Sequence, residues 1–200
     1  MKFFVIALWL FSGASFAFTI DKSVYDTQSL KLLDHRGSGR FDSYLSMDIP
    51  FKPVSSLFDF LKAKTGLSLI SRGEAHITVI TPIEYFDILK PHLSIEEIQS
   101  IAKDSKIQSS KFQIKCLGQG SKKIDQNLEQ TFYLVVSSND LLKLRTKIHK
   151  KFIESGGEAD AFDPLKFYPH ITLGFSKRDL HESDGIIKDS SSCMSNLTVK

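Results

Sequence analysis

Two stretches decide how the fold of this chain is interpreted: residues 75–79, Ala-His-Ile-Thr-Val, and residues 169–173, Pro-His-Ile-Thr-Leu. Each is rich in β-branched residues and alternates polar with apolar side chains, which predicts a strand. Because successive side chains point to opposite faces, the His and Thr of each stretch share one face and the aliphatic residues share the other. Composition alone predicts about 0.3 His-x-Thr matches in such a chain, so a matched pair on two strands is not expected by chance.

The segments around these strands alternate between helical and extended patterns. Apolar residues at helical spacing, with capping residues at their ends, predict three helices: 54–66, 94–101 and 140–155. Further strands are predicted at 44–49, 112–116 and 131–137, with a turn region starting at Gly118. This order of elements indicates an α+β chain with two related halves.

Two such strands side by side would enclose a pocket holding two imidazoles and two hydroxyls. An imidazole titrates near pH 6.5, so one ring can be neutral while the other is charged, as general base and general acid catalysis require. Threonine hydroxyls can donate hydrogen bonds to phosphate oxygens, including one that gains charge in the transition state. The candidate catalytic residues are therefore His76 and His170, and the candidate substrate-binding residues are Thr78 and Thr172.

Paired H-x-T-x motifs on strands resemble the 2H phosphoesterase superfamily. It includes RNA 2′,3′-cyclic phosphodiesterases, the phosphodiesterase part of fungal and plant tRNA ligases, and 2′,5′-oligonucleotide phosphodiesterases. The resemblance covers residues 41–176 and rests on the two tetrapeptides that start at His76 and His170. It implies an α+β, bilobal fold with two pseudo-symmetric lobes of antiparallel sheet plus helices around a central cleft. It also implies that no metal or other cofactor takes part.

The expected reaction is hydrolysis of a cyclic phosphodiester, in particular a 2′,3′-cyclic phosphate on an RNA end, oligonucleotide or nucleotide. One histidine would activate water and the other would protonate the leaving ribose oxygen; the sequence leaves open which does which. The resemblance implies a 2′-phosphate product. Three alternatives stay open: a phosphodiesterase for 2′,5′-linked or 3′-terminal oligonucleotides, a secreted module that binds nucleotides or phosphate without turnover, and a metal-dependent hydrolase. For the last, Glu74 could join the two histidines, since a catalytic zinc needs about three protein ligands.

The two ends of the chain differ from its middle in composition. Residues 1–17 have the charged start, apolar run and small-residue cleavage site of a secretory signal peptide. Secretion would depart from the intracellular RNA-processing members of the superfamily, and we expect no stable membrane association after signal cleavage. Residues 18–40 are assigned to an N-terminal arm, and 177–200 to a polar C-terminal tail that we expect to be partly disordered.

The remaining charged and sulfur-containing residues leave several questions open. A net charge of +3 does not favour binding to long duplex nucleic acid. The basic run from Lys143 to Lys151 on the third helix fits a solvated face or a patch that steers polyanions. His35 and His181 sit in polar loops with no predicted role. Cys116 and Cys193 could pair in an oxidising compartment, and neither their pairing nor the oligomeric state follows from the sequence.

Overall fold

The computed structural model describes residues 18–200, so the predicted signal peptide lies outside the described residues. Within them the strands are β1 (Phe18–Ile20), β2 (Leu45–Asp48), β3 (His76–Ile80), β4 (Gln113–Ile124), β5 (Asn127–Ser137), β6 (His170–Phe175), β7 (Cys193–Ser195) and β8 (Leu197–Val199). The α-helices are α1 (Phe51–Thr65), the single turn α2 (Pro82–Glu84), α3 (Ile95–Asp104) and α4 (Asn139–Glu154), and π-helical Tyr85–Leu89 continues α2.

Six strands form one antiparallel sheet in the order β2-β3-β6-β5-β4-β7. The two strands that carry the His-Ile-Thr motifs, β3 and β6, are direct neighbours and are paired through Ile77 and Ile171. The two halves of the chain therefore meet in a continuous sheet at the motif strands. Together with the helices, this sheet confirms the predicted α+β class. A separate parallel pair, β1 with β8, joins the two ends of the described chain.

The helices pack on one face of the sheet. The aliphatic residues of the motif strands, Ile77, Val79, Ile171 and Leu173, are buried there in the main core, together with the apolar stripes of α1 and α4. The three predicted helices are confirmed, and α1 ends at Gly66 in the left-handed conformation that glycine favours. The His and Thr side chains point to the opposite face. No helix within residues 18–200 combines the length and the apolar content that crossing a bilayer requires.

The predicted turn region at Gly118 is wrong, because β4 continues through it to Ile124. The chain reverses instead at Asp125 and Gln126, both of which have positive φ. Gly118 lies inside the strand, where a Cβ would come within 2.5 Å of the Tyr133 ring on β5. The glycine therefore marks close packing against an aromatic ring rather than a change of chain direction.

The C-terminal segment, residues 177–200, is folded, so the expectation of partial disorder is wrong. It forms β7 against β4 and β8 against β1, and a disulfide joins Cys193 to Cys116 with the Cα atoms 5.7 Å apart. Two of its charged side chains, Asp179 and Lys188, are buried, and their contacts with Thr172 and His170 place them on the sheet face that carries the motif histidines. The composition of this segment resembles that of a disordered tail. Buried charges that are paired with each other are nevertheless compatible with a fixed structure.

Candidate active site

The four predicted site residues lie on one face of the sheet, in a diagonal arrangement. The antiparallel register set by the isoleucine pair places His76 opposite Thr172 and Thr78 opposite His170. Residues directly opposite in such a pair have Cβ atoms about 4.5–5.5 Å apart. Each histidine therefore has as its cross-strand neighbour the threonine of the other motif. The four side chains are half-buried, as residues that line a cleft would be.

His170 has both ring nitrogens engaged. Its Nδ1 lies 2.8 Å from the carbonyl oxygen of Tyr168, and its Nε2 lies 3.2 Å from the ammonium nitrogen of Lys188. Because a carbonyl can only accept, Nδ1 carries the proton and the Nε2 lone pair accepts from Lys188. Burial, and next the positive charge of Lys188, lower the pKa of His170 well below its ordinary value. The ring is therefore held neutral, with its basic nitrogen towards the lysine.

His76 has a different electrostatic environment. Its Nδ1 is 3.5 Å from a carboxylate oxygen of Glu74 but makes no hydrogen bond to any residue within 18–200. Burial lowers the pKa of His76, the negative charge of Glu74 opposes that shift, and Arg72 adds to it. A carboxylate beside the ring favours the imidazolium form. The two histidines thus differ in charged neighbours: a carboxylate at His76 and an ammonium at His170.

An aromatic pair borders His76. The His35 ring stacks on the Tyr44 ring with centroids 3.9 Å apart, and its centroid lies 6.5 Å from that of His76. The sequence placed His35 in a polar loop with no role, whereas the structure brings it to the candidate site. Burial raises the pKa of Tyr44 to about 12, so its phenol is neutral at any physiological pH.

Asp179 accepts four hydrogen bonds and links the second motif to two cations. One oxygen accepts from Thr131 at 2.7 Å and from Lys188 at 2.8 Å, and the other accepts from Arg72 at 3.0 Å and from Thr172 at 3.1 Å. Burial alone would raise the pKa of Asp179, but Lys188 and the other donors hold it far below its usual range. Asp179 is therefore ionised. Asp179 also accepts a hydrogen bond from the Thr172 hydroxyl. That hydroxyl must turn away from Asp179 before it can donate to a phosphate.

Sequence reasoning missed Asp179, Lys188 and Arg72. The first two lie in the segment assigned to the tail, and Arg72 lies in the loop before β3. No periodicity or motif marks any of them. The only available signal was the concentration of charged residues just after the second motif, and that pattern is equally typical of an exposed tail.

Arg145 departs from the expectation for the basic run on helix α4. It is almost fully buried, with a side-chain exposure of 1%. Its guanidinium donates to the Val79 carbonyl, to the Glu84 carboxylate at 2.8 Å and to carbonyls within 163–166. For Arg145, the interpretation as part of a solvated face and the interpretation as part of a patch that steers polyanions are both wrong.

A metal-dependent hydrolase would need about three protein ligands grouped around one point. Across residues 18–200, no set of three or more His, Cys, Asp or Glu side chains is grouped closely enough to hold one. Glu74 is the one carboxylate that forms an ion-pair contact with His76, and the contact is made to a ring nitrogen.

The comparison with protein families agrees with the geometry. A family model described as "Swiss Army Knife, 2H phosphoesterase domain" matches residues 43–181, well over half of the 200-residue chain. The chain therefore belongs to the 2H phosphoesterases, which confirms the resemblance carried by the two motifs. The family supports a phosphoesterase of the hydrolase class, acting on nucleotide or other phosphoester substrates. Neither the comparison with curated proteins nor that with solved structures found a match.

Proposed function

We propose that this protein is a secreted phosphodiesterase that hydrolyses a cyclic phosphodiester, with a 2′,3′-cyclic phosphate of RNA or of a nucleotide as its substrate. The observation that carries this proposal is the diagonal arrangement of His76, Thr78, His170 and Thr172 on one sheet face. A phosphate seated on this face, above the two paired strands, would have an imidazole on each side. Thr78, and Thr172 once its hydroxyl turns away from Asp179, could donate to the non-bridging oxygens.

The environments of the two histidines favour a division of roles. His170, held neutral with its lone pair on Nε2, suits the general base that takes a proton from water. The water oxygen then bonds to phosphorus, and the bond from phosphorus to one ribose oxygen breaks. The pKa of His76 is lowered by burial, but the Glu74 carboxylate opposes that shift, whereas His170 has an ammonium as its neighbour. His76 therefore suits the general acid that protonates that ribose oxygen. If the bond to the 3′ oxygen breaks, as the family resemblance implies, the product is a 2′-phosphate.

Secretion is part of the same proposal. It is supported by the signal-peptide pattern of residues 1–17 and by the disulfide between Cys116 and Cys193, a bond that persists mainly in oxidising compartments. N-terminal sequencing of the exported protein should give a start at or near Phe18. Recovery of the intact Met1 terminus in a membrane fraction would contradict it.

A substrate panel tests the reaction. Purified protein would be incubated with 2′,3′-cyclic nucleotides, 2′,5′-linked oligonucleotides and RNA with defined 3′ ends, and the products identified by phosphorus NMR. We expect turnover of the cyclic phosphates to 2′-phosphates, unchanged by excess chelator and lowered about 10²- to 10⁴-fold in His170→Ala. Turnover of the 2′,5′-linked or 3′-terminal substrates alone would favour those activities. Binding without turnover would favour a binding module, and activity lost to chelator and restored by zinc or manganese would favour a metal-dependent hydrolase.

A further inference from the structure

Asp179 holds a cation on each of its two carboxylate oxygens. Arg72 donates to Oδ2 at 3.0 Å and Lys188 donates to Oδ1 at 2.8 Å. The carboxylate is buried, with a side-chain exposure of 4%. Two cations from distant parts of the chain, the loop before β3 and the C-terminal segment, are thereby fixed on one anchor.

Each cation lies next to one of the two motif histidines. The ammonium nitrogen of Lys188 is 3.2 Å from Nε2 of His170, the nitrogen proposed to act as the base. Arg72 donates to the same carboxylate oxygen of Asp179 that accepts from Thr172, and Thr172 is the cross-strand neighbour of His76. A group bound between the two histidines would therefore meet both cations.

The local charge count exceeds what a structural ion pair needs. One lysine would be enough to neutralise Asp179, because a buried carboxylate requires one opposite charge and a full set of donors. Arg72 is therefore a second cation on a carboxylate that Lys188 already neutralises, and Glu74 beside His76 is a further acidic neighbour of the site. A phosphodiester, which carries a single negative charge, can pair with this second cation. Arg72 is also partly open to solvent, with a side-chain exposure of 36%, and can reach an incoming ligand.

We propose that Arg72 and Lys188, positioned by Asp179, form a cation pair that binds the non-bridging phosphate oxygens of the substrate. In the unliganded protein Lys188 donates a hydrogen bond to the lone pair on Nε2 of His170. When phosphate binds, the ammonium turns from Nε2 to a phosphate oxygen, which leaves the lone pair free to accept a proton from water. The role in turnover rests on the proposed function, but phosphate binding does not. Lys188 lies beyond residues 43–181, the part of the chain that matches the family model.

Binding of inorganic orthophosphate, measured by calorimetry, tests the pair without requiring a substrate. Lys188→Met and Arg72→Met should each weaken phosphate binding about 10- to 100-fold, which corresponds to the loss of one charge-assisted hydrogen bond. The matched control is Lys177→Met, since Lys177 is an exposed lysine in the same C-terminal segment. It should bind phosphate like the wild type.

A second variant separates binding from folding. Lys188→Met alone leaves Asp179 with one cation fewer and could destabilise the protein, whereas Lys188→Met/Asp179→Asn removes both charges of the ion pair together. If the double variant unfolds at the wild-type temperature yet binds phosphate weakly, the proposal is supported. Wild-type affinity in a folded double variant, or no phosphate binding by the wild type, would overturn it.

The phosphate titration, read together with the turnover assay, distinguishes this inference from the proposed function. If phosphate binding depends on Lys188 but no cyclic phosphate is turned over, the proposed reaction is wrong and the cation pair stands. If cyclic phosphates are hydrolysed equally well by the wild type and by a folded Lys188→Met variant, the reaction stands and the cation pair is wrong.

Discussion

Arg145 on helix α4 donates a 2.6 Å hydrogen bond to the carbonyl oxygen of Val79, three residues after His76 in strand β3. The same guanidinium donates to Glu84 and to carbonyls within 163–166, the loop that leads into the second motif strand. One buried side chain therefore ties the end of the first motif strand to the approach of the second. The relative position of the two motifs depends on this contact as well as on strand pairing.

Replacing Arg145 should destabilise the fold strongly. Arg145→Met would leave Glu84 and several carbonyls without their donor, and breaking a buried ion pair in this way costs about 3–5 kcal/mol. Urea denaturation would measure the loss in the free energy of unfolding. Lys143→Met, at an exposed position on the same helix, should stay within about 0.5 kcal/mol of the wild type. Equal stability of the two variants would contradict the role assigned to Arg145.

The paired histidines should behave as a unit. We expect His76→Ala and His170→Ala each to lower turnover about 10²- to 10⁴-fold, the usual effect of losing one proton-transfer group. The double variant should lose much less than the product of the two, because groups that act together are not additive. Thr78→Ala and Thr172→Ala should be milder. Steady-state kinetics on the substrate found in the panel provides the measurement.

His149→Ala on helix α4 is the matched histidine control and should keep the wild-type rate. All of these variants should unfold near the wild-type temperature, because the motif side chains are half-buried on the sheet face away from the main core. A well-folded His76→Ala or His170→Ala protein with near-native turnover would rule out the acid/base pair.

The pH optimum of kcat/KM should lie below the ordinary pKa of histidine. The proposed base, His170, must be deprotonated, so activity rises as the pH passes its pKa. Burial and the charge of Lys188 lower that pKa. The proposed acid, His76, must be protonated, so activity falls as the pH passes its pKa, which burial also lowers. A bell-shaped profile of kcat/KM, which reports the free enzyme, should therefore be centred below about pH 6.5.

Lys188→Met provides the internal comparison for that profile. Removing the ammonium beside His170 removes a cause of its lowered pKa, so the acidic limb should move to higher pH. Because the histidines interact, the limbs belong to the pair as a whole. An acidic limb that does not move in the folded variant would show that Lys188 does not set the titration of the base.

Reduction of the disulfide should loosen the C-terminal segment. The bond joins residues 77 positions apart, and closing a loop of that size stabilises a fold by about 2–5 kcal/mol. Cys193 is five residues after Lys188, so reduction should both lower the unfolding temperature and weaken phosphate binding. Calorimetry with and without reductant would measure both, with Cys116→Ser/Cys193→Ser as a reductant-insensitive control. An unfolding temperature unaffected by reductant would contradict this.

The sequence by itself determined the elements that depend on local patterns. Strands β3 and β6 follow from alternation of His and Thr with aliphatic residues, and this alternation also fixes which side chains face the main core. The three long helices follow from apolar spacing and from caps such as Ser94 and Gly66. These signals are readable because side-chain periodicity reflects the burial of one face, and burial of apolar area is the dominant favourable term in folding.

Only the tertiary structure decided which distant residues complete the candidate site. The contacts of Asp179 with Arg72 and Lys188 join residues up to 107 positions apart, and no period in the sequence reports them. The same holds for the disulfide and for the burial of Arg145. A charged side chain is normally read as exposed because burying it alone is costly. Whether its partners offset that cost depends on the path of the chain, which local pattern does not contain.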